Sequence, residues 1–164
     1  MNRVWKVLRA LHHVIKEYNE EIPDERRDQP ADWERIHSAS CARLGMMMAL
    51  ERGIDPILGG VACACHDYGR ILTGEQKGHA ERGFEPVQEF LRGFEYFTED
   101  EIQQIATAVK NHSSKALIQD PLSELVKDVD IIDFYQYGSA PTRKEQEDRL
   151  VRLLGHPMDE QFKW

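Results

Sequence analysis

Apolar residues in this chain recur every three to four positions almost throughout, and proline, glycine and capping residues interrupt that rhythm repeatedly. Such spacing buries one face of a helix, whereas a half-buried strand needs strict alternation over several residues. No convincing alternating run, internal repeat or low-complexity tract occurs. Val4, Leu8, Leu11 and Ile15 mark a first amphipathic helix over residues 3–18, and the proline- and charge-rich stretch 20–30 reads as a loop. Asp32 is the expected N-cap of a helix that stops before Gly53, and Pro56 suits the first turn of the next, reaching residue 71. A loop at 73–78 precedes a helix over 79–92. Thr98 and Glu101 form a capping-box pattern that opens a helix running to residue 111. Pro121 opens another, to residue 135, and after a break at 138–142 a charged helix covers 143–154. The expected fold is all-α, a bundle of six to seven helices.

At 164 residues the chain reads as one domain, 1–164, able to bury roughly 70% of its unfolded surface without a staple. The net charge of −8 argues against nonspecific binding to nucleic acid, whose phosphates need a basic footprint. A small phosphorylated substrate remains compatible, because bound divalent cations supply local positive charge. Cys41, Cys63 and Cys65, an odd number in apolar helical segments, suit reduced core thiols and a reducing compartment. Nothing over residues 1–16 reads as a signal peptide, and no run is long enough to span a bilayer. A cytoplasmic location and no membrane partner are the expectation.

Four of the seven histidines, His37, His66, His79 and His112, are spread along the chain together with Asp67 and the acidic stretch Asp128, Asp130, Asp133. Imidazole and carboxylate are ligands for a borderline divalent metal. At about 100° per residue, Trp33, Cys41, Leu44 and Met48 lie within roughly 40° of His37, which therefore faces the core. Gly59, Ala62 and Cys63 share the face of His66, leaving a neighbouring helix room to approach. On the helix over 121–135, Asp133 lies near the middle of the apolar face, Asp130 on its edge and Asp128 on the wet side. A buried carboxylate needs a partner, and periodicity does not choose between Asp130 and Asp133. Cys63 and Cys65 point about 200° apart on a helix, so they read as core fillers, and Met46, Met47 and Met48 as packing. His12, His13 and His156 read as surface residues.

The ordered set His37, His66-Asp67, Asp130 resembles the His…His-Asp…Asp signature of the HD-domain superfamily of metal-dependent phosphohydrolases. The strings around Glu34-Arg35-Ile36-His37-Ser38, His66-Asp67-Tyr68-Gly69-Arg70 and Lys127-Asp128-Val129-Asp130-Ile131-Ile132-Asp133 fit as well. The resemblance covers residues 30–137, leaving a helical tail over 138–164. It implies that Asp130 is the final ligand and Asp133 a supporting group. It also implies that His79 and His112, with a bridging Asp67, hold a second ion, as in two-metal branches. Nothing resembles the longer signature of the cyclic-dinucleotide phosphodiesterase branch.

On that resemblance the cofactor is one or two divalent ions, Fe or Mn first, then Co, Ni or Zn. The substrate is a small phosphate ester or anhydride such as a nucleotide, cleaved when a metal-held hydroxide attacks phosphorus. Asp67 would hold the ions, Asp130 would double as proton acceptor, and Lys115 or Arg70 would offset charge on the phosphoryl oxygens. The competing expectations are a di-iron oxygenase of the same fold and a non-catalytic nucleotide or metal sensor. The charged last helix and Trp164 are candidates for a homodimer interface.

Overall fold

In the computed structural model, which describes residues 2–155, the chain is a helical bundle. The helices are α1 (Arg3–Glu21), α2 (Ala31–Glu51), α3 (Pro56–Cys65), α4 (Tyr68–Thr73), α5 (His79–Arg92), α6 (Glu99–Asn111), α7 (Pro121–Gln136) and α8 (Lys144–Leu154), with a 3-10 turn at Asp24–Arg26. His156 and Trp164 lie outside the described residues.

Local chemistry sets most boundaries. Asp55 accepts from the Ile57 and Leu58 amides at the start of α3, with Pro56 at the first position. The Thr98–Glu101 capping box forms at α6, and Asp120 caps α7 ahead of Pro121. Gly74, at φ 74°, ends α4 in the left-handed region. Asp32 is not the cap of α2; it sits in the first turn behind Pro30. The carboxylate of Asp24, from the 3-10 turn, accepts from Ala31 N at 2.8 Å instead.

The helix expected over 56–71 is two pieces, so eight helical segments among the described residues fill seven expected places. The break falls at His66-Asp67, where Asp67 adopts φ −92°, ψ 16°. In a continuous helix those two side chains would diverge by about 100°. The break is what turns both toward one point.

The core is closed by helices that touch backbone to backbone. α2 and α3 run antiparallel, and a Cβ on Gly45 would meet Cys63 Sγ at 2.6 Å and the Gly59 carbonyl at 2.8 Å. Between α4 and α5, a Cβ on Gly69 would stand 2.1 Å from the His79 carbonyl. Only glycine permits that approach, and it seats the first turn of α5 against His66-Asp67. α7 packs against α2, α3 and α6, and α8 lies on α7.

Asp128, expected on the wet side of its helix, is buried. Arg149 of α8 donates to its Oδ1 (2.7 Å) and Arg52, at the C-terminal cap of α2, reaches its Oδ2 (2.8 Å). α8 covers a face that would be solvated if α7 ended the fold. His13 is exposed as expected, whereas His12 is half-buried and burial holds its imidazole below the usual value.

Candidate metal centre

Six side chains from five places in the fold converge. His37 comes from mid-α2, His66 and Asp67 from the α3–α4 break, His79 from the first position of α5, His112 from just past α6, and Asp130 from α7. The four imidazoles are almost fully buried. Each turns its Nδ1 outward to an acceptor. His37 Nδ1 lies 2.6 Å from Asp133 Oδ2, and His66, His79 and His112 donate to the carbonyls of Cys63 (2.7 Å), Gln76 (2.6 Å) and Val109 (2.7 Å). With Nδ1 so committed, Nε2 of every ring points inward, where it can bind an ion once any proton on it has left.

These inward atoms form two groups that share Asp67. In the first, His37 Nε2 and His66 Nε2 are 3.1 Å apart, and Asp67 Oδ2 lies 3.4 and 3.0 Å from them. Asp130 Oδ1 completes it, at 3.4 and 3.5 Å from the same two nitrogens. In the second, His79 Nε2 and His112 Nε2 are 2.8 Å apart, with Asp67 Oδ1 at 3.0 and 3.6 Å. Ligands about 2.1 Å from one ion stand roughly 3.0–3.4 Å from each other in tetrahedral or octahedral geometry. Two nitrogen lone pairs facing one another at such distances repel unless a proton or a metal ion lies between them. The donors present therefore fit a pair of ions bridged by the two oxygens of Asp67.

The carboxylates are held ionised. Burial opposes charge on Asp67, but Arg70, His66 and the hydrogen-bonding imidazoles of His112 and His37 keep it well below the usual carboxylate range. Asp130 is likewise held low against burial, by Lys115 first and then His37 and His66. Burial alone would lower His66, yet Asp67 and Asp130 raise it to about 9; His112, where burial dominates, falls to about 4. Without metal, His66 thus carries a proton at neutral pH that an ion must displace. An imidazole raised from 6.5 to about 9 stabilises the metal-free fold fully below pH 6.5 and loses that contribution as pH rises through 9. We expect the metal-free melting temperature to fall across pH 6.5–9 and the gap to metal-loaded protein to widen. Calorimetric metal titrations in buffers of different ionisation enthalpy should show proton release that fades above pH 9. A gap that narrows with rising pH would contradict this account.

Both cations expected near phosphate are buried, not surface groups. Arg70 donates from Nε and Nη2 to both oxygens of Glu34 (2.8 and 3.1 Å), from Nη2 to Asp67 Oδ2 (2.5 Å) and from Nη1 to Gln76 (2.6 Å). With four N–H bonds so used, it holds Asp67 and has little left for phosphate. Lys115 Nζ donates to Asp130 Oδ2 (2.5 Å) and the Lys127 carbonyl (3.4 Å), leaving one N–H toward the adjoining cavity. Asp133, the group on which periodicity was ambiguous, is fully buried, orients His37 and accepts from Ser40. Cys63 and Cys65 are buried fillers. Cys41 Sγ lies nearer His37 Nδ1 (3.6 Å) than its inward Nε2 (3.9 Å), and burial pushes its thiol up to about 12.

Three contributors were not singled out in the sequence: Glu34, Gln76 and Ser40. Glu34 lies one turn before His37 on the same face, a detectable signal. Gln76 and Ser40 carry none. The centre opens into a cavity of roughly 630 Å³, with Ile131, Phe134 and Pro141 among its apolar walls.

A family model described as HD domain matches residues 35–138. No curated protein and no solved structure matches the chain.

Proposed function

Because the chain belongs to the HD domain family, whose members are generally metal-dependent hydrolases, we propose that it is a phosphohydrolase of small phosphate esters or anhydrides, nucleotides foremost. The observation that supports this most is the bridging of two donor groups by the two oxygens of Asp67. Bound there, two divalent ions would supply acidified water and neutralise phosphoryl charge. The mixed imidazole–carboxylate set suits Fe or Mn, with Co, Ni and Zn as alternatives.

The chain's own residues divide the remaining work. Arg70 fixes Asp67, and Asp133 fixes the ring of His37. Asp130 has its basicity suppressed by Lys115, which suits it to holding a cation rather than accepting a proton. The free N–H of Lys115 faces the cavity, where a phosphoryl oxygen can accept it. Ile131 and Phe134 limit water around the substrate. A cytoplasmic setting is part of the reading, supported by three free buried cysteines. No helix among the described residues is long and apolar enough to cross a membrane.

The test is phosphate release under argon by protein stripped with chelator and reloaded with Mn or Fe(II), over nucleotides and simple esters. We expect release that depends on metal and not on oxygen. Activity surviving exhaustive chelation would reject metal-dependent chemistry at this centre altogether, and turnover only with oxygen consumption would reject the hydrolase in favour of the two-iron oxygenase.

A further inference from the structure

The cavity over the metal centre has two kinds of wall. The ligands, Lys115 and Phe134 come from within residues 35–138, the stretch that the family model matches. The facing side is built from residues outside it: Gln29 before α2, and the α7–α8 connection with the start of α8, including Arg143 and Gln146. Apart from histidines, three cationic side chains line the cavity among the described residues, namely Arg70, Lys115 and Arg143. Buried carboxylates already hold the first two. Arg143 is different: its side chain is 48% exposed and makes one loose pair, Nη1 to Glu145 Oε1 at 3.3 Å.

We propose that Arg143 is a specificity-determining residue that binds a second anionic group of the substrate, so that the preferred substrates are phosphomonoesters carrying a further negative charge. This rests on the phosphohydrolase reading for which end of the substrate faces the metal centre. An exposed ion pair such as Arg143–Glu145 is weak, so an incoming dianion can displace it at little cost. Arg143 is also presented by a well-anchored element. Arg149, further along α8, donates to Glu124 (2.8 Å), Asp128 (2.7 Å) and the Lys115 carbonyl (3.0 Å), tying α8 to α7 and to the Lys115 loop. The Gln146 side-chain oxygen accepts from the Thr142 and Arg143 amides (both 3.1 Å), which turns its amide N–H groups outward as further donors. The cavity volume lies within the range of sites for nucleotide-sized ligands.

The test compares adenosine 5′-monophosphate with adenosine 3′,5′-bisphosphate on Mn-loaded protein, reading kcat/KM and, by calorimetry, Kd. The wild type should favour the bisphosphate. Arg143→Ala should cut that preference about tenfold, the scale of one charge-assisted hydrogen bond, and Arg143→Glu should cut it further. If neither compound is hydrolysed, the hydrolase reading fails while the ratio of Kd values still decides the role of Arg143. Equal preference in wild type and both variants, an equal loss on both compounds, or binding of neither compound by the wild type would overturn the proposal.

Discussion

Asp67→Ala is expected to abolish retention of both ions and to reduce turnover by roughly 10⁴-fold or more, the scale on which loss of a central residue in a catalytic constellation is felt. Asp67 is the shared member: Oδ2 closes the group of His37, His66 and Asp130, and Oδ1 closes that of His79 and His112. Removing any one imidazole leaves one group intact; removing Asp67 opens both. Asp67→Asn separates this loss from misfolding. The amide keeps the shape and can still accept from Arg70 with its oxygen, but it then presents N–H hydrogens to the nitrogens of His79 and His112. Elemental analysis should find both variants with less than one ion per chain, while circular dichroism shows the wild-type helix content. An Asp67→Asn protein that keeps two ions would remove the bridging role on which the proposed chemistry stands.

How much of this was legible in the sequence depended on whether the deciding contact was local. The Thr98 capping box and the Pro121 start follow from side chains bonding their own backbone within one turn, the bounds of α5 fall at Gly78 and Gly93, and the sequence expectation agrees with the structure at all three. The break at His66-Asp67 does not. No proline or glycine stands at the junction, and residues 58–71 are all buried, so the apolar pattern runs through it unbroken. What bends the chain is distant: Arg70, held by Glu34 of α2, pulls on Asp67, and α5 seats itself against Gly69. Asp128 shows the same limit, because helical counting sees α7 alone, and Arg52 and Arg149 reach it from the end of α2 and from α8.

The inward histidines were legible because an imidazole among apolar neighbours stands out. Their orientation was not, since three of the four Nδ1 acceptors are backbone carbonyls, which every residue possesses. Between Asp130 and Asp133 the structure divides two tasks, one oxygen turned to the centre and one pair of oxygens behind His37 and Ser40. Helical angle could place both near the core but could not assign them.

Arg70→Ala is the second large expected effect, and it falls on stability before chemistry. Glu34 is 1% exposed, and its carboxylate bonds Arg70 through both oxygens. Truncating the arginine leaves that charge buried and unpaired, which costs about 3–5 kcal/mol in comparable cases. For a domain of this size that lowers the melting temperature by about 10 °C. The double variant Glu34→Leu with Arg70→Met removes both charges and keeps apolar volume, so it should regain at least half of the lost stability. Measured beside the singles Glu34→Leu and Arg70→Met, its non-additivity isolates the coupling of the pair itself. Chemistry should not recover with stability, because Asp67 still lacks the guanidinium that fixes its carboxylate. The double variant should stay about 10–100-fold below wild type in turnover at saturating metal, as when an outer partner of a ligand is lost. A single variant that melts within a degree or two of wild type, or a double variant with full activity, would show that Arg70 holds neither Glu34 nor Asp67 in the working protein.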